Sequence, residues 1–246
     1  MKKYVQEATD INIWTSIKNN TFERNKDIKE FIDGLELIDE SACISLDAKW
    51  GDGKTFFVRQ IEEVLKYVLA NQRADEENPI EKIPSYEYLK DNEMMAKIDL
   101  KHSYLPIYYN AWMYDNHSDP LMSLLLVMTK TCKGVYDTKI DSEKISEKLI
   151  KALSTLPISL GEFKMNPFTV AEKLQVKKVD ILSLVQTEEE IRERVKGIFN
   201  DIIVERAQKL IIFIDELDRC RPSFAIEMLE RIKHYFDDER DFRGVS

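Results

Sequence analysis

Two glycines, a lysine and a threonine near position 50 have the types and spacing that bind nucleotide phosphates. The chain reads AKWGDGKT at positions 48–55. Gly51 and Gly53 allow the backbone to turn so that its N–H groups point at phosphate oxygens, and a following helix adds its positive N-terminal end. Lys54 would reach the β- and γ-phosphates, and the hydroxyl of Thr55 would bind Mg²⁺. The stretch therefore predicts a phosphate-binding loop for a nucleoside triphosphate with Mg²⁺.

This stretch matches the phosphate-loop pattern G-x-x-x-x-G-K-[ST] at every fixed position except the first, where Ala48 replaces glycine. Alanine tolerates close packing but not every backbone angle open to glycine, so the start of the loop is expected to differ slightly. An ordinary strand-to-helix connection would also use a glycine turn followed by a lysine. The residues predicted to contact the nucleotide are Trp50, Gly51, Asp52, Gly53, Lys54, Thr55, Phe56 and Asn110.

A second stretch, LIIFIDELD at 210–218, places two carboxylates directly after an apolar run. In open α/β sheets ligands bind beyond the carboxyl ends of the strands, which is where a phosphate loop also lies. Asp215 is predicted to hold Mg²⁺ through water, and Glu216 to orient and deprotonate the attacking water. Glu216 and Lys54 are thus the predicted catalytic residues. Acids after a strand also occur as solvated turn residues or helix caps.

The elements around these two motifs are predicted to alternate between helices and strands. An amphipathic helix is expected at 25–38, a short buried strand at 42–46, and a helix after the glycines whose apolar residues recur through Leu69. YLPIYY at 104–109 is predicted as a second core strand, and 209–215 as the strongest buried strand. Such alternation implies parallel pairing with right-handed crossovers, hence an α/β sandwich.

Further helices are expected around and between these strands. Asp119 and Pro120 suit the N-cap and first position of a helix, and Thr187 with Glu190 resembles a capping box. Pro222 is predicted to start a last helix. This helix is expected to run through the apolar residues Phe224, Leu229 and Ile232. The polar, irregular stretch 71–103 and the mixed stretch 134–186, read as helical, are predicted insertions in a single domain of residues 1–246.

Charge and composition limit the classes of function. A net charge of −9, from 36 Lys and Arg against 45 Asp and Glu, argues against a nucleic-acid partner. The three cysteines lie far apart without metal-ligand spacing, which fits a reducing compartment. The first ten residues lack a signal-peptide pattern, and no stretch approaches the roughly 20 apolar residues of a membrane span. The expected location is the cytoplasm.

Three stretches together resemble the KAP family of P-loop NTPases: WGDGKT, YNAWMY after the predicted second strand, and FIDELDRCRPSFAIEMLERIKHYF. The resemblance implies a three-layer P-loop sandwich with a mostly parallel sheet, in which YLPIYYN lies between the strands of the two motifs. It implies a helical insertion between the motifs, and 134–186 lacks the transmembrane helices that many members carry there. The family usually has Asp where Glu216 stands. The chain ends before the expected sensor strand and helical lid, so it is expected to be incomplete at its C-terminus.

Several polar and aromatic residues near the motifs have competing interpretations. Asn110 would bond a phosphate or the attacking water, or cap the local turn. Trp50 would pack against the nucleotide or the flanking helix, and Trp112 is predicted to be a core residue. Arg219 and Arg221 would stabilise developing phosphoryl charge, or pair with Asp218 or a helix end.

Cys220 stands between Arg219 and Arg221, which suggests a lowered thiol pKa. The leading hypothesis from the sequence is a Mg-ATP hydrolase that drives a conformational change, in the setting of bacterial defence against phage or plasmids that the resemblance implies. The alternative is a nucleotide-binding switch or scaffold with little turnover. A P-loop kinase would need an acceptor-binding lid, which the sequence does not show. A homo-oligomer or protein partner is suggested by the family and by the arginines.

Overall fold

The computed structural model of the chain describes most residues of its first half and one later stretch. The described ranges are 7–39, 41–49, 51–75, 79–116 and 207–236, with residues 120, 123, 124, 127, 128 and 131. They belong to two compact units. The first unit comprises Met1–Tyr109 and Arg206–Asp215. The second comprises Asn110–Glu205 and Glu216–Ser246.

Four helices and a core of aliphatic side chains make up most of the first unit. The helices are α1 (Asp10–Lys18), α2 (Asn25–Leu35), α3 (Lys54–Gln72) and the short α4 (Tyr86–Leu89). Single 3-10 turns lie at Thr21–Glu23, Ile80–Lys82 and Met95–Lys97. The shared core contains Ile13, Ile17, Ile28, Ile32, Leu35, Ile61, Val64, Leu65, Leu89, Met94, Leu100, Tyr104 and Phe213. Part of the predicted insertion 71–103 therefore packs in this core.

The amphipathic helix predicted ahead of the phosphate loop is confirmed as α2. Its apolar residues Ile28, Ile32 and Leu35 recur at intervals of three and four and are buried, because this spacing places them on one face. Phe31 lies at the edge of that face and meets Phe57 of α3 edge to face, with ring centres 6.4 Å apart. This contact packs α2 against the helix that follows the loop.

Helix α3 buries charged as well as apolar side chains. Glu62 is only 2% exposed. Glu63 is also buried, and its Oε2 atom accepts a hydrogen bond of 2.6 Å from Nε1 of Trp14 in α1. Lys66 lies 2.7 Å from Glu62 and 2.8 Å from Glu63. Removing one partner from such a buried group costs about 3–5 kcal/mol, so this charged face fixes how α3 packs on α1.

The short buried strand predicted at 42–46 is wrong. Residues 41–49 have no strand conformation, and their apolar side chains Ile44 and Leu46 are 54% and 42% exposed. A short apolar run becomes a strand only where a neighbouring strand supplies hydrogen-bond partners, and the residues of the run carry no information about that neighbour. In the described part of the chain, the sheet contains two other strands.

Those two strands, β1 (Tyr104–Asn110) and β2 (Lys209–Asp215), confirm the predictions for 104–109 and 209–215. Ser103 bonds Gln208 and Lys209 at 3.0 Å, so both strands start at the same end and run parallel. Burial differs from the prediction. β1 is the more buried strand, whereas in β2 only Phe213 is buried. The apolar content of a strand does not determine which elements cover it.

The second unit contains a 3-10 helix at Ala111–Tyr114 and the helix α5 (Pro222–Phe236), which confirms the predicted start at Pro222. Phe224 and Met228, four positions apart, are buried. Leu229 is 51% exposed. Five positions from Phe224 correspond to about 140° around a helix, so Leu229 lies away from the buried face.

Two further predictions concern residues of the second unit and its surroundings. Trp112 is 56% exposed, so its assignment to the core is wrong as well. Pro120 is helical as expected, and so are the other described residues up to 131. The stretch 134–186 and the capping box of Thr187 and Glu190 lie outside the described residues. In the described part of the chain, none of the helices has the length and apolar content required to cross a bilayer.

Candidate functional site

The predicted phosphate loop is a tight glycine turn that leads directly into α3. Gly51 and Gly53 have φ angles of 91° and 82°, in the left-handed region that glycine adopts without steric cost. Asp52 closes the turn from both sides. Its N–H donates to the carbonyl of Lys49 at 3.2 Å, and its Oδ2 accepts from the N–H of Lys49 at 3.0 Å. Trp50 lies outside the described residues.

The N-terminal end of α3 faces this turn with its backbone N–H groups. Helix residues begin at Lys54, and Phe57 makes the first i to i−4 bond, to the carbonyl of Gly53 at 2.9 Å. N–H groups ahead of that bond cannot find partners within the helix, and together with the helix dipole they attract anions. The first turn carries no acidic side chain that would compete for this position.

The side chain of Lys54 folds back over the loop. Its Nζ atom donates to the carbonyl oxygen of Ala48 at 2.7 Å, so the side chain connects the end of the loop to its beginning. The bond to this carbonyl is charge-assisted through the ammonium alone, whereas a bond to a phosphate oxygen would pair two opposite charges. The position therefore fits the predicted phosphate contact of Lys54.

A second cation, Arg24, contacts the same loop and was not predicted from the sequence. Its Nη1 donates to the carbonyl of Gly53 at 3.2 Å, and its Nη2 donates to that of Asp52 at 2.7 Å. Arg24 lies immediately before α2 and follows backbone with positive φ at Phe22 and Glu23. No spacing rule links residues 29 positions apart, so only the packing of α2 on α3 brings Arg24 here.

These groups surround a cavity of about 180 Å³. Its lining residues are Arg24, Asp27, Leu46, Ala48, Asp52, Gly53, Lys54 and Phe57. Small-molecule sites usually measure about 300–1,000 Å³, so this cavity suits one end of a ligand rather than a whole nucleotide. Among the described residues of the loop and first turn, three that are predicted to contact the nucleotide do not line this cavity: Gly51, Thr55 and Phe56. The side chains of Thr55 and Phe56 are half-buried.

Asp215, the predicted metal ligand, ends β2 and is held by a neighbour on β1. The hydroxyl of Tyr108 donates to Oδ2 of Asp215 at 2.8 Å. The guanidinium carbon of Arg59 lies 4.7 Å from the centre of the Tyr108 ring, within the range of a cation–π contact. Arg59 is five positions after Lys54 on α3. A chain of contacts therefore connects the helix of the phosphate loop to the second predicted motif.

Arg59 is itself fixed by carboxylates. Its Nη2 lies 2.9 Å from Oδ1 of Asp10, and its Nη1 pairs with Glu62. Burial alone lowers the pKa of Arg59, but the negative charges of Glu62, Glu63 and Asp10 outweigh burial and raise it. The guanidinium therefore stays charged and can hold the ring of Tyr108.

Glu216, the predicted general base, belongs to the second unit. Its backbone has a φ of 60°, and its carboxylate pairs with Arg219. The guanidinium carbon of Arg219 lies 6.0 Å from the ring centre of Trp112. Arg219 thus has the structural pairing that was one of its two interpretations, with Glu216 as the partner in place of Asp218.

The contacts of Asn110 and Arg221 and the environment of Cys220 bear on three further predictions. Oδ1 of Asn110 accepts from the N–H of Met113 at 3.2 Å, so the capping contact is present. Arg221 pairs with Asp115, with Nε 3.2 Å from Oδ2 and the backbone N–H donating to Oδ1 at 2.9 Å. Burial raises the pKa of Cys220, and Asp115 and Asp218 raise it further. The suggested lowered pKa of this thiol is therefore wrong.

The predicted metal ligands of this site are Thr55 and Asp215. Among the described residues, no three His, Cys, Asp or Glu side chains are grouped closely enough to hold one. Mg²⁺ is commonly bound by one or two carboxylates together with substrate phosphates and water. The hydroxyl of Thr55 and the carboxylate of Asp215 have the oxygen chemistry that Mg²⁺ prefers, so the residues present fit a metal that arrives with a nucleotide.

Comparison with models of protein families assigns this chain to a family. A model described as the KAP family P-loop domain matches residues 24–241, which is most of the chain. The match begins at Arg24 and includes the phosphate loop, β1 and β2. Neither the curated proteins nor the solved structures contain a match to the chain.

Proposed function

The chain belongs to the KAP family of P-loop NTPases, and on that premise we propose that it binds Mg-ATP at the loop of residues 48–55 and hydrolyses the β–γ phosphoanhydride bond to drive a conformational change. Nucleotide binding follows from the family. The observation that best supports this location is the pair of cations, Lys54 and Arg24, whose hydrogen bonds enclose the turn of Gly51 and Gly53 in front of α3.

Binding would use the loop and the first turn of α3. Backbone N–H groups around Gly51 and Gly53 would donate hydrogen bonds to the phosphate oxygens, and Lys54 would exchange its bond to Ala48 for bonds to the β- and γ-phosphates. Thr55 and Asp215 would hold Mg²⁺. When bound, Mg²⁺ supplies charge neutralisation for the phosphate oxygens. We place Trp50, Asp52, Phe56 and Asn110 among the nucleotide contacts as predicted from the sequence.

In hydrolysis, Glu216 would accept the proton of the attacking water. The oxygen of a water attacks the γ-phosphorus, the bond to the β–γ bridging oxygen breaks, and the proton of the water passes to the carboxylate of Glu216. The products are ADP and inorganic phosphate. Because this carboxylate pairs with Arg219, catalysis would require that ion pair to open.

The defence setting of this activity rests on the family resemblance, its partner on the family and the arginines, and its cytoplasmic location on the widely spaced cysteines. We assign the conformational change to bacterial defence against phage or plasmids, in the cytoplasm, with a second copy of the chain or another protein as the partner that receives it. Nucleic acid is not proposed as a partner, because the net charge of −9 opposes its binding.

The ion pair of Glu216 and Arg219 also supports a second candidate function. A general base must reach the attacking water, and an arginine that holds the carboxylate opposes this. If the pair persists with nucleotide bound, the chain would act as a nucleotide-dependent switch or scaffold with little turnover.

Nucleotide binding is tested by calorimetric titration of the purified chain with Mg-ATP. Lys54→Ala is expected to weaken binding by about tenfold or more. A tenfold loss of affinity corresponds to about 1.4 kcal/mol, and one hydrogen bond to a charged group contributes about 1.5–3 kcal/mol. Lys97→Ala removes the same charge from an exposed lysine that pairs with Glu93 at 3.9 Å, and should leave binding unchanged. A chain without Mg-ATP affinity, or equal effects of both variants, would refute the proposal.

The two candidate functions differ in their response to Glu216→Gln. For a hydrolase, this change should lower phosphate release by about 10²–10⁴-fold and leave ATP trapped on the protein. For a switch, nucleotide occupancy should be the same in variant and wild type. Glu227→Gln is the matched control, since Glu227 lies on α5 and pairs there with Arg231 at 3.4 Å.

A further inference from the structure

Two tyrosines on β1 each donate a hydrogen bond to a carboxylate. Tyr104 and Tyr108 are four positions apart on one strand, so their side chains lie on the same face of the sheet. The hydroxyl of Tyr104 donates to Oε1 of Glu36 at 2.7 Å, and the hydroxyl of Tyr108 donates to Oδ2 of Asp215 at 2.8 Å. Each tyrosine therefore orients one carboxylate, but only Tyr108 orients one at the carboxyl end of β2.

The hydrogen bond from Tyr108 can fix the orientation of the Asp215 carboxylate. A carboxylate at a strand end can rotate about its Cβ–Cγ bond, and a hydrogen bond to one oxygen fixes where the other oxygen points. Metal coordination depends on that direction, because Mg²⁺ tolerates little deviation from octahedral geometry. Groups that orient a metal ligand in this way influence metal affinity without touching the metal.

The ring of Tyr108 is held in turn by Arg59. The guanidinium carbon of Arg59 lies 4.7 Å from the ring centre, and the carboxylates of Asp10 and Glu62 fix the guanidinium. Arg59 extends from α3, the helix whose first turn carries Lys54 and Thr55. The hydroxyl of Tyr108 is thus positioned relative to the same helix that presents the predicted phosphate and metal contacts.

We propose that Tyr108 is a positioning residue for the metal at this site: its hydroxyl orients the carboxylate of Asp215, and Arg59 holds its ring in place. This inference depends on the proposed binding of Mg-ATP. Tyr108 itself touches neither nucleotide nor metal. Its loss should weaken the Mg²⁺-dependent part of nucleotide affinity and leave the part that does not need Mg²⁺ intact.

The experiment compares nucleotide affinity in Mg²⁺ with that in EDTA. A non-hydrolysable ATP analogue is titrated into wild type, Tyr108→Phe and Tyr104→Phe under both conditions. Tyr108→Phe is expected to reduce the gain in affinity from Mg²⁺ by about tenfold or more, with unchanged affinity in EDTA. Tyr104→Phe removes a hydroxyl from the same face of the same strand, and should keep the full gain.

A double-mutant cycle separates positioning from general damage to the strand. Asp215→Asn alone should abolish most of the gain from Mg²⁺, and adding Tyr108→Phe to it should cause no further loss. The inference is overturned if Tyr108→Phe keeps the full gain, if Tyr104→Phe loses as much, or if the two changes at 108 and 215 act independently.

The wild type distinguishes this inference from the proposed function. If wild type shows the gain and Tyr108→Phe shows it equally, the inference alone is wrong and Mg-ATP binding stands. If wild type binds the analogue equally with Mg²⁺ and EDTA, the metal role of Asp215 is wrong and the inference falls with it. If wild type does not bind the analogue at all, the proposed function is wrong.

Discussion

Arg24 donates a hydrogen bond from Nη1 to the carbonyl oxygen of Gly53 at 3.2 Å, across 29 positions of sequence. A second bond of 2.7 Å, from Nη2 to the carbonyl of Asp52, makes the contact two-pronged. Both acceptors are neutral carbonyls of the phosphate loop. Arg24 therefore supports the shape of the loop and also adds positive charge to the cavity in front of it.

Arg24→Ala is expected to weaken Mg-ATP binding by about 10–100-fold, because binding requires the loop shape that these two hydrogen bonds support. Hydrogen bonds that involve a charged group are each worth about 1.5–3 kcal/mol. Arg24→Lys keeps the charge but not the planar fork of donors, and should fall between wild type and alanine. Titration calorimetry measures all three. Lys26→Ala is the control, since this exposed lysine pairs with Glu30 at 3.6 Å on α2; an equal effect of Lys26→Ala would refute a specific role for Arg24.

Gly53→Ala should destabilise the chain as well as the loop. A residue with a Cβ at a φ of 82° is strained by about 1–2 kcal/mol, and the added Cβ would lie 3.2 Å from both Nη atoms of Arg24. Gly34→Ala is the matched control. Gly34 lies within α2 with no atom within 4 Å of an added Cβ, and alanine there should stabilise by about 0.5–1 kcal/mol. Urea unfolding measures both, and a stabilising Gly53→Ala would contradict the loop geometry.

Glu36 should make the stability of the chain sensitive to acid. Burial raises the pKa of Glu36, but hydrogen bonds from Tyr104, His102 and the N–H of Lys101 together lower it below the usual 4.5. A carboxyl whose folded pKa is depressed stabilises fully above its unfolded pKa and loses that contribution as pH falls through the folded value. Wild type should therefore exceed Glu36→Gln in stability at pH 7, with the difference shrinking below about pH 4.5.

The measurement for Glu36 is urea unfolding of both proteins at a series of pH values between 3 and 7. Glu30→Gln is the control, because Glu30 is exposed on α2 and its contact with Lys26 lies at the surface, where ion pairs contribute about 0–1 kcal/mol. A wild-type advantage over Glu36→Gln that stayed constant across this pH range would contradict the hydrogen-bond account.

Cys220 should be a slow nucleophile even though it stands between two arginines. Burial and the carboxylates of Asp115 and Asp218 raise its pKa, so less thiolate is present at neutral pH. Cys43 is exposed. Iodoacetamide at pH 7.5 should label Cys43 several times faster than Cys220, as measured on the two peptides by mass spectrometry. Faster labelling of Cys220 would show that the arginines dominate its environment.

Local patterns predicted the elements that carry their own signals. The intervals of three and four from Ile28 to Leu35 predicted α2, and the β-branched and aromatic runs predicted β1 and β2 at their observed positions. The glycine turn before Lys54 has the positive φ angles that the phosphate-loop pattern requires. These features follow from backbone preferences and side-chain periodicity, which a sequence contains.

Predictions that depended on distant neighbours were less accurate. Ile44 was expected in a buried strand and Trp112 in the core, yet both are exposed, because burial depends on what packs against a residue. The contacts of Arg24 with the loop and of Tyr108 with Asp215 have no signature of spacing. Each joins residues that only tertiary packing brings together, so neither was visible in the sequence.

The pairing of β1 with β2 has a consequence for biosynthesis. Tyr108 and its acceptor are separated by 107 positions, and a ribosome that adds about 5–20 residues per second needs roughly 5–20 s to cover that interval. During this time the glycine turn and its helix have already been translated, while the carboxylate has not. Under the proposed function, cellular nucleotide would meet a nascent chain that has Lys54 and Thr55 but lacks Asp215, and the contribution of this carboxylate to metal-dependent affinity would arise only when the later strand joins the sheet.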